Sequence, residues 1–119
     1  MFDFEKLEVY KKAKELNKEI TLFLRENKAI DNYVREQLKR ASISTVINIA
    51  EGSGKFSKAD KRNFYAISRG SVYECVSLLE IILDENNIER TKFDYFKSQY
   101  EMISKMLLAL IRSQINDKP

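Results

Sequence analysis

The stretch Val34-Arg-Glu-Gln-Leu38-Lys-Arg-Ala41-Ser-Ile43-Ser-Thr-Val46-Ile47-Asn-Ile49-Ala50-Glu-Gly52 decides the fold. Its apolar residues recur at three- and four-residue steps, the pattern of an α-helix. Val34, Leu38, Ala41, Val46 and Ile49 make one stripe, and Ile43, Ile47 and Ala50 widen it beyond a single narrow face. A helix apolar on two sides needs cover from its own domain on one side and from something else on the other. The chain has 119 residues and 14.0 kDa, enough for one core and hence one domain over 1–119. The second cover is therefore expected from a partner subunit. Asp31, a short acceptor just ahead of the pattern, predicts the N-cap, and Gly52-Ser-Gly-Lys-Phe56 predicts the break that ends the helix.

Beyond the break, Ser57 with Asp60 three residues later predicts a capped third helix running to about Asn86. Its periodicity predicts burial of Phe64, Ile67, Ser71, Val72 or Cys75, Leu78, Leu79 and Ile82. Glycine inside a helix costs roughly 0.5–1 kcal/mol relative to alanine, so Gly70 predicts close approach of a neighbouring helix. Upstream, a first helix is expected from Phe4 to Asn27, with Leu7, Tyr10, Ala13, Leu16 or Asn17, Ile20, Phe23 and Leu24 inward. Downstream, after Asn86-Asn87, Thr91 is expected to cap a fourth helix carrying Phe93, Phe96, Tyr100, Ile103, Met106 or Leu107, Leu110 and Ile111. Residues after Ile115 are expected to fray. Four helices of about 20–28 residues, each ~30–42 Å long, with short connections, predict an all-α fold, an antiparallel up-down-up-down four-helix bundle.

Composition narrows the chemistry. The chain is 33% charged, with three Gly, one Pro, no Trp, no His and one Cys. The inventory for zinc, copper or imidazole general-base catalysis is nearly empty, and no cofactor is expected. Cys75 cannot form an intrachain disulfide and sits in an apolar setting that predicts an inert core thiol. No leader-like segment or membrane-length apolar run is seen, which together with the single thiol predicts a cytoplasmic protein without a membrane role.

Arg40, Ser44, Asn48 and Glu51 fall on one sector of the second helix, a polar seam in an apolar segment. With no histidine to activate Ser44 and no second carboxylate near Glu51, a hydrolytic site is not filled and no enzyme is expected. The seam predicts hydrogen bonds between helices or subunits, with Arg62, Arg69 and Glu74 as partners and Gly70 and Ser71 in the same contact region. Gly52-Ser-Gly-Lys55 follows a helix rather than a strand and lacks the spacing of a nucleotide-phosphate loop.

Charge is unevenly distributed. Between Arg35 and Val72 eight cations face three carboxylates, a net +5, which leaves −2 for the remainder. Arg35, Lys39, Lys55, Lys58, Lys61 and Arg62 are thus expected to form a basic surface around one helix-loop-helix end, suited to a phosphate backbone. The same charges also serve to solubilise a loop and to complement a helix carboxyl end. Phe56 and Tyr65 offer aromatic faces there, although ordinary burial preference packs Phe56 against the bundle end.

The string Asn48-Ile-Ala-Glu-Gly52, followed by Gly54-Lys55, Ser57, and then Gly70-Ser71 with Glu74, resembles the four-helix-bundle proteins encoded in intervening sequences of bacterial 23S ribosomal RNA genes. The opening Phe4-Glu-Lys-Leu7-Glu-Val-Tyr10, with Ala13 and Leu16, is similar to their first helix. Lys55 stands where arginine is common, Ser68 where alanine is usual, and Cys75 at a leucine-like position. The resemblance implies an up-down bundle assembled into a homopentameric ring without established enzymatic activity. Combined with the basic surface, it predicts a self-associating protein that binds RNA or DNA, structured RNA ahead of DNA, through cations repeated around a ring. A scaffold for a protein partner, with incidental basic charge, is the second reading.

Overall fold

A computed structural model describes Met1–Ile115. The expectation for the tail after Ile115 lies outside the described residues. Four α-helices account for the fold: α1 (Glu8–Glu26), α2 (Asn32–Ser53), α3 (Lys58–Asp84) and α4 (Arg90–Ser113), preceded by a 3₁₀ turn at Asp3–Lys6. No strand occurs among the described residues. Each helix packs on the next and α1 also meets α4, within overall dimensions of 53 × 24 × 21 Å.

The helix boundaries follow local chemistry. The Asp31 side chain accepts from the Tyr33 and Val34 amides and starts α2, and the Ser57 hydroxyl accepts from the Asp60 amide and starts α3. Two starts differ from expectation. The first helix begins at Glu8, because Leu7 is extended and Phe4 turns its ring edge-on to Tyr10 at 4.7 Å instead of continuing the helix. Thr91 lies inside α4, whose N-cap is Glu89, with the Phe93 amide bonded to the Glu89 carbonyl. The preceding turn sets this position. Asn86 adopts φ 61°, its amide bonds to the Leu83 carbonyl, and the Asn87 amide reaches back to Ile82. That reciprocal pair satisfies the last carbonyls of α3 and redirects the chain through buried Ile88.

The core is built from Ile20 and Leu24 of α1, Leu38 and Ile49 of α2, Leu79 and Ile82 of α3, and Phe96, Ile103 and Leu107 of α4. In the first half of α3 the buried stripe runs through Tyr65 and Ser68, while Phe64 is half-buried and Ile67 is 44% exposed. The reading of Phe64 and Ile67 as core is thereby corrected. Stepping back from Val72 by three or four residues reaches Ser68 and Tyr65. Serine is tolerated inside because its hydroxyl donates to the Thr45 carbonyl at 2.7 Å.

A polar layer crosses the middle of the core. Ser42 donates to Asn17 Oδ1 at 2.8 Å, and Thr45 donates back to the Ala41 carbonyl. The Tyr100 hydroxyl is buried beside Ser42 and Cys75 without a well-formed hydrogen bond among the described residues. Burial raises its pKa well above the ordinary phenolic value and pushes the Cys75 thiol up to about 12.

Candidate nucleic-acid interface

The turn joining α2 to α3 begins with a close contact. A Cβ placed on buried Gly52 would stand 2.8 Å from Tyr65 Cε1 and 3.1 Å from Phe64 Cβ, so only glycine lets the two helices meet here without displacement. Gly70, expected to be the point of close approach, is exposed, and its would-be Cβ meets no atom of a neighbouring helix within 4 Å among the described residues. The expectation is corrected: within the chain, the glycine required by packing is Gly52.

After Gly52 the turn tightens. The Gly54 amide bonds to the Glu51 carbonyl and the Lys55 amide to the Gly52 carbonyl. Lys61 crosses the turn and donates to the Ser53 carbonyl at 2.8 Å and more weakly to that of Gly52, placing a cation at the negative end of the α2 dipole. Lys55 lies 4.8 Å from the centre of the Phe64 ring. Arg62 donates to the Gln114 carbonyl at 2.6 Å and ties the start of α3 to the end of α4. Neither Lys55, Lys58, Lys61 nor Arg62 makes an ion pair among the described residues. Phe56 projects from this turn with 103% relative exposure, so its expected packing against the bundle end is also corrected.

The six basic residues do not form one patch. Lys55, Lys58, Lys61 and Arg62 share the α2–α3 end, whereas Arg35 lies about 30 Å away along α2, at its opposite end. Arg35 is a clamp on the end of α1: its guanidinium donates to the carbonyls of Leu24, Asn27 and Ile30, at 2.7 Å for Asn27 and 3.3 Å for Ile30. Lys39 pairs with Glu36 at 3.7 Å, an exposed pair one helical turn long.

The polar seam lies along the α2–α3 contact. Arg40 reaches Glu74 at 3.2 Å, Ser44 and Ser71 hydroxyls are 2.8 Å apart, and the Asn48 amide donates to both the carbonyl and hydroxyl of Ser44. Partner numbers fall on α3 as they rise on α2, so these two helices run in opposite directions. Arg62 and Arg69 turn away from the seam to α4. Arg69 Nε donates to the Ser104 carbonyl at 3.3 Å, and its guanidinium lies over the Tyr73 ring. Glu51 is exposed and has no side-chain partner among the described residues. The pairing register sets Ile47 level with Ile67 and Ile43 near Gly70. Ile43, Ile47 and Ile67 are 45%, 49% and 44% exposed, so the widened stripe of α2 has one side that this chain leaves uncovered.

The sequence pattern missed Tyr65 as the partner of Gly52 and Arg35 as a clamp across the α1–α2 turn, whereas Lys61 fits the reading of the loop cations as complements to a helix carboxyl end. No group of three or more His, Cys, Asp or Glu suited to a metal occurs among the described residues. No described helix is long and apolar enough to cross a membrane.

Comparison with known proteins supports the architecture. A crystal structure of a protein of unknown function from the S23 ribosomal protein family of Bacteroides thetaiotaomicron superposes with a TM-score of 0.81. It is 24% identical, and the match covers 87% of this chain and 98% of that one, a likeness of fold. No curated protein matches. Residues 5–109 match the family described as 23S rRNA-intervening sequence protein, and the chain belongs to that family.

Proposed function

We propose that this chain is a non-enzymatic, up-down-up-down helical bundle that associates with itself in the cytoplasm and binds nucleic acid, structured RNA ahead of DNA. The observation that carries the reading is the α2–α3 end, where Lys55, Lys58, Lys61 and Arg62 cluster without a carboxylate partner among the described residues. The turn is fixed by the Lys61 clamp and the Ser57 cap, so the charges are held in place rather than carried on a loose tail. No base-reading motif accompanies them, and the contacts are to phosphates.

Self-association uses the uncovered face around Ile43, Ile47 and Ile67. Five copies in a ring is the count that the family resemblance implies. A ring repeats a modest basic patch, and simultaneous engagement raises affinity for a long polyanion without any new contact.

Filter binding of a structured RNA across a salt series tests the reading. The logarithm of affinity falls linearly with the logarithm of salt, and Lys55→Glu with Lys58→Glu weakens binding and flattens that line. These two positions are the informative ones, since Lys61 and Arg62 also hold helix ends together. Absence of binding at low salt, or binding indifferent to the double reversal, overturns the proposal.

A second reading has its own observation. A groove of about 560 Å³ between α3 and α4 has an apolar floor of Val72, Val76 and Tyr100 and a charged rim that includes Arg69 and Lys105. A defined polypeptide seated there, with no nucleic acid retained, favours a protein scaffold.

A further inference from the structure

Lys55 and Phe56 are arranged in the reverse of the usual order. The lysine folds back over the Phe64 ring at 4.8 Å, while the adjacent phenylalanine stands wholly in solvent at 103% relative exposure. Full burial of a phenylalanine side chain is worth several times more than a surface cation–π contact, so hydrophobic packing alone would exchange the two positions. The backbone prevents the exchange. The Gly54 and Lys55 amides are bonded to the Glu51 and Gly52 carbonyls, Ser57 caps α3, and Lys61 pins the Ser53 carbonyl from the other side.

We propose that Phe56 is a base-stacking residue that takes an unpaired base from a single-stranded segment of RNA. This rests on the nucleic-acid reading above and names the part of the RNA that the α2–α3 end holds. A ring presented on a fixed turn loses little freedom on binding, which is the condition under which one contact contributes its full worth. Lys58 is exposed two residues beyond the ring, and Lys55 stands immediately before it, so phosphates flanking a stacked base meet positive charge. Unpaired bases offer such a ring a flat face, whereas bases inside an A-form duplex are already stacked on one another. The like charges around Phe56 also oppose a direct meeting of two such turns from separate copies.

The chain contains no tryptophan, so Phe56→Trp introduces a lone fluorescent reporter at the proposed site. The assembled protein is titrated with a 20-nucleotide single-stranded oligo(A) RNA and with a fully paired RNA duplex of equal length. Phe56→Ala weakens single-strand binding about 5- to 150-fold, the span of one lost base stack, and leaves the salt slope unchanged. Phe56→Trp retains affinity and its emission is quenched by the single strand. Phe56→Leu, apolar but without a π face, behaves like Phe56→Ala, and duplex binding is unaffected by any of the three.

Unchanged single-strand affinity in Phe56→Ala overturns the stacking role while leaving the basic surface standing, provided Lys58→Glu still weakens binding. Equal loss on duplex and single strand, or full affinity in Phe56→Leu, also overturns it. A fall in assembled mass for Phe56→Ala by light scattering assigns the ring to a subunit contact instead. If the unaltered protein binds neither RNA at low salt, the nucleic-acid reading and the stacking role fall together.

Discussion

Gly52 and Tyr65 meet so closely that a methyl group on the glycine would stand 2.8 Å from the tyrosine ring. Both residues are buried, and the methyl would also stand 3.1 Å from Phe64 Cβ, an atom fixed to the α3 backbone. Alanine gains up to ~1 kcal/mol of helix propensity over glycine, but overpacking a filled contact costs roughly 1–3 kcal/mol. Gly52→Ala is therefore expected to lower the urea midpoint. Gly70→Ala, with open space around its Cβ, is expected to raise it by an amount equivalent to about 0.5–1 kcal/mol. A denaturation series on both variants checks the opposite signs; a stabilising Gly52→Ala removes the packing argument.

The contrast between these glycines marks how far the sequence could be read. Periodicity located four helices, and Asp31 and Ser57 announced two starts, because a cap is a local event encoded by adjacent residues. Arg40 with Glu74 and Ser44 with Ser71 were recognised as contact residues, since a polar seam in an apolar helix needs partners. The exchange of Ile67 for Ser68 was hidden, because it depends on a carbonyl of another helix, that of Thr45, to satisfy a buried hydroxyl. The division of the basic residues between two ends was hidden for a related reason. Charge summed along the sequence ignores that the length of α2 holds Arg35 and the turn carrying Lys55 about 30 Å apart, and that Arg35 is occupied by carbonyls at and just beyond the end of α1.

Ile47 sits level with Ile67 on the uncovered face, and a charge there should act on association before it acts on folding. Ile47→Glu is expected to keep its helical circular dichroism while light scattering at micromolar concentration reports a single chain, against a multiple for the unaltered protein. An interface core does not accept an unpaired carboxylate, whereas the exposed side of an isolated helix does. A solitary chain in both proteins would show that this face stays open to water.

Arg35 and Lys58 should separate structural from recognition charge. Arg35 donates to three carbonyls at the end of α1, so Arg35→Ala leaves acceptors unpaired and is expected to cost about 1–3 kcal/mol of stability. Its effect on RNA affinity, measured below the unfolding range, should be small. Lys58→Glu is expected to reverse that pattern, with stability nearly unchanged and RNA binding weakened. Arg35→Ala that abolishes binding in a fully folded protein would place the RNA along the whole of α2 instead.

Cys75 gives the fold a defined response to alkali. Burial is the main cause that raises its thiol from 9.0 to about 12, and burial likewise holds the neighbouring Tyr100 hydroxyl above its usual 10.0. Both groups keep their protons in the folded chain at a pH where the unfolded chain has released them. The unfolded state then binds fewer protons, so stability is complete below pH 9 and declines as pH rises toward 12, by ~1.4 kcal/mol per unit for each group so engaged. Urea midpoints at pH 8 and pH 10.5 should show the decline, and Cys75→Ala should make it shallower whatever its effect on the absolute midpoint. The same burial predicts that a thiol reagent at pH 8 modifies Cys75 only as fast as the core opens, with the rate rising in urea. Rapid modification in the native protein, or an alkaline slope unchanged in Cys75→Ala, would mean that the thiol is reached by water and that the layer around Ser42 and Tyr100 is not closed.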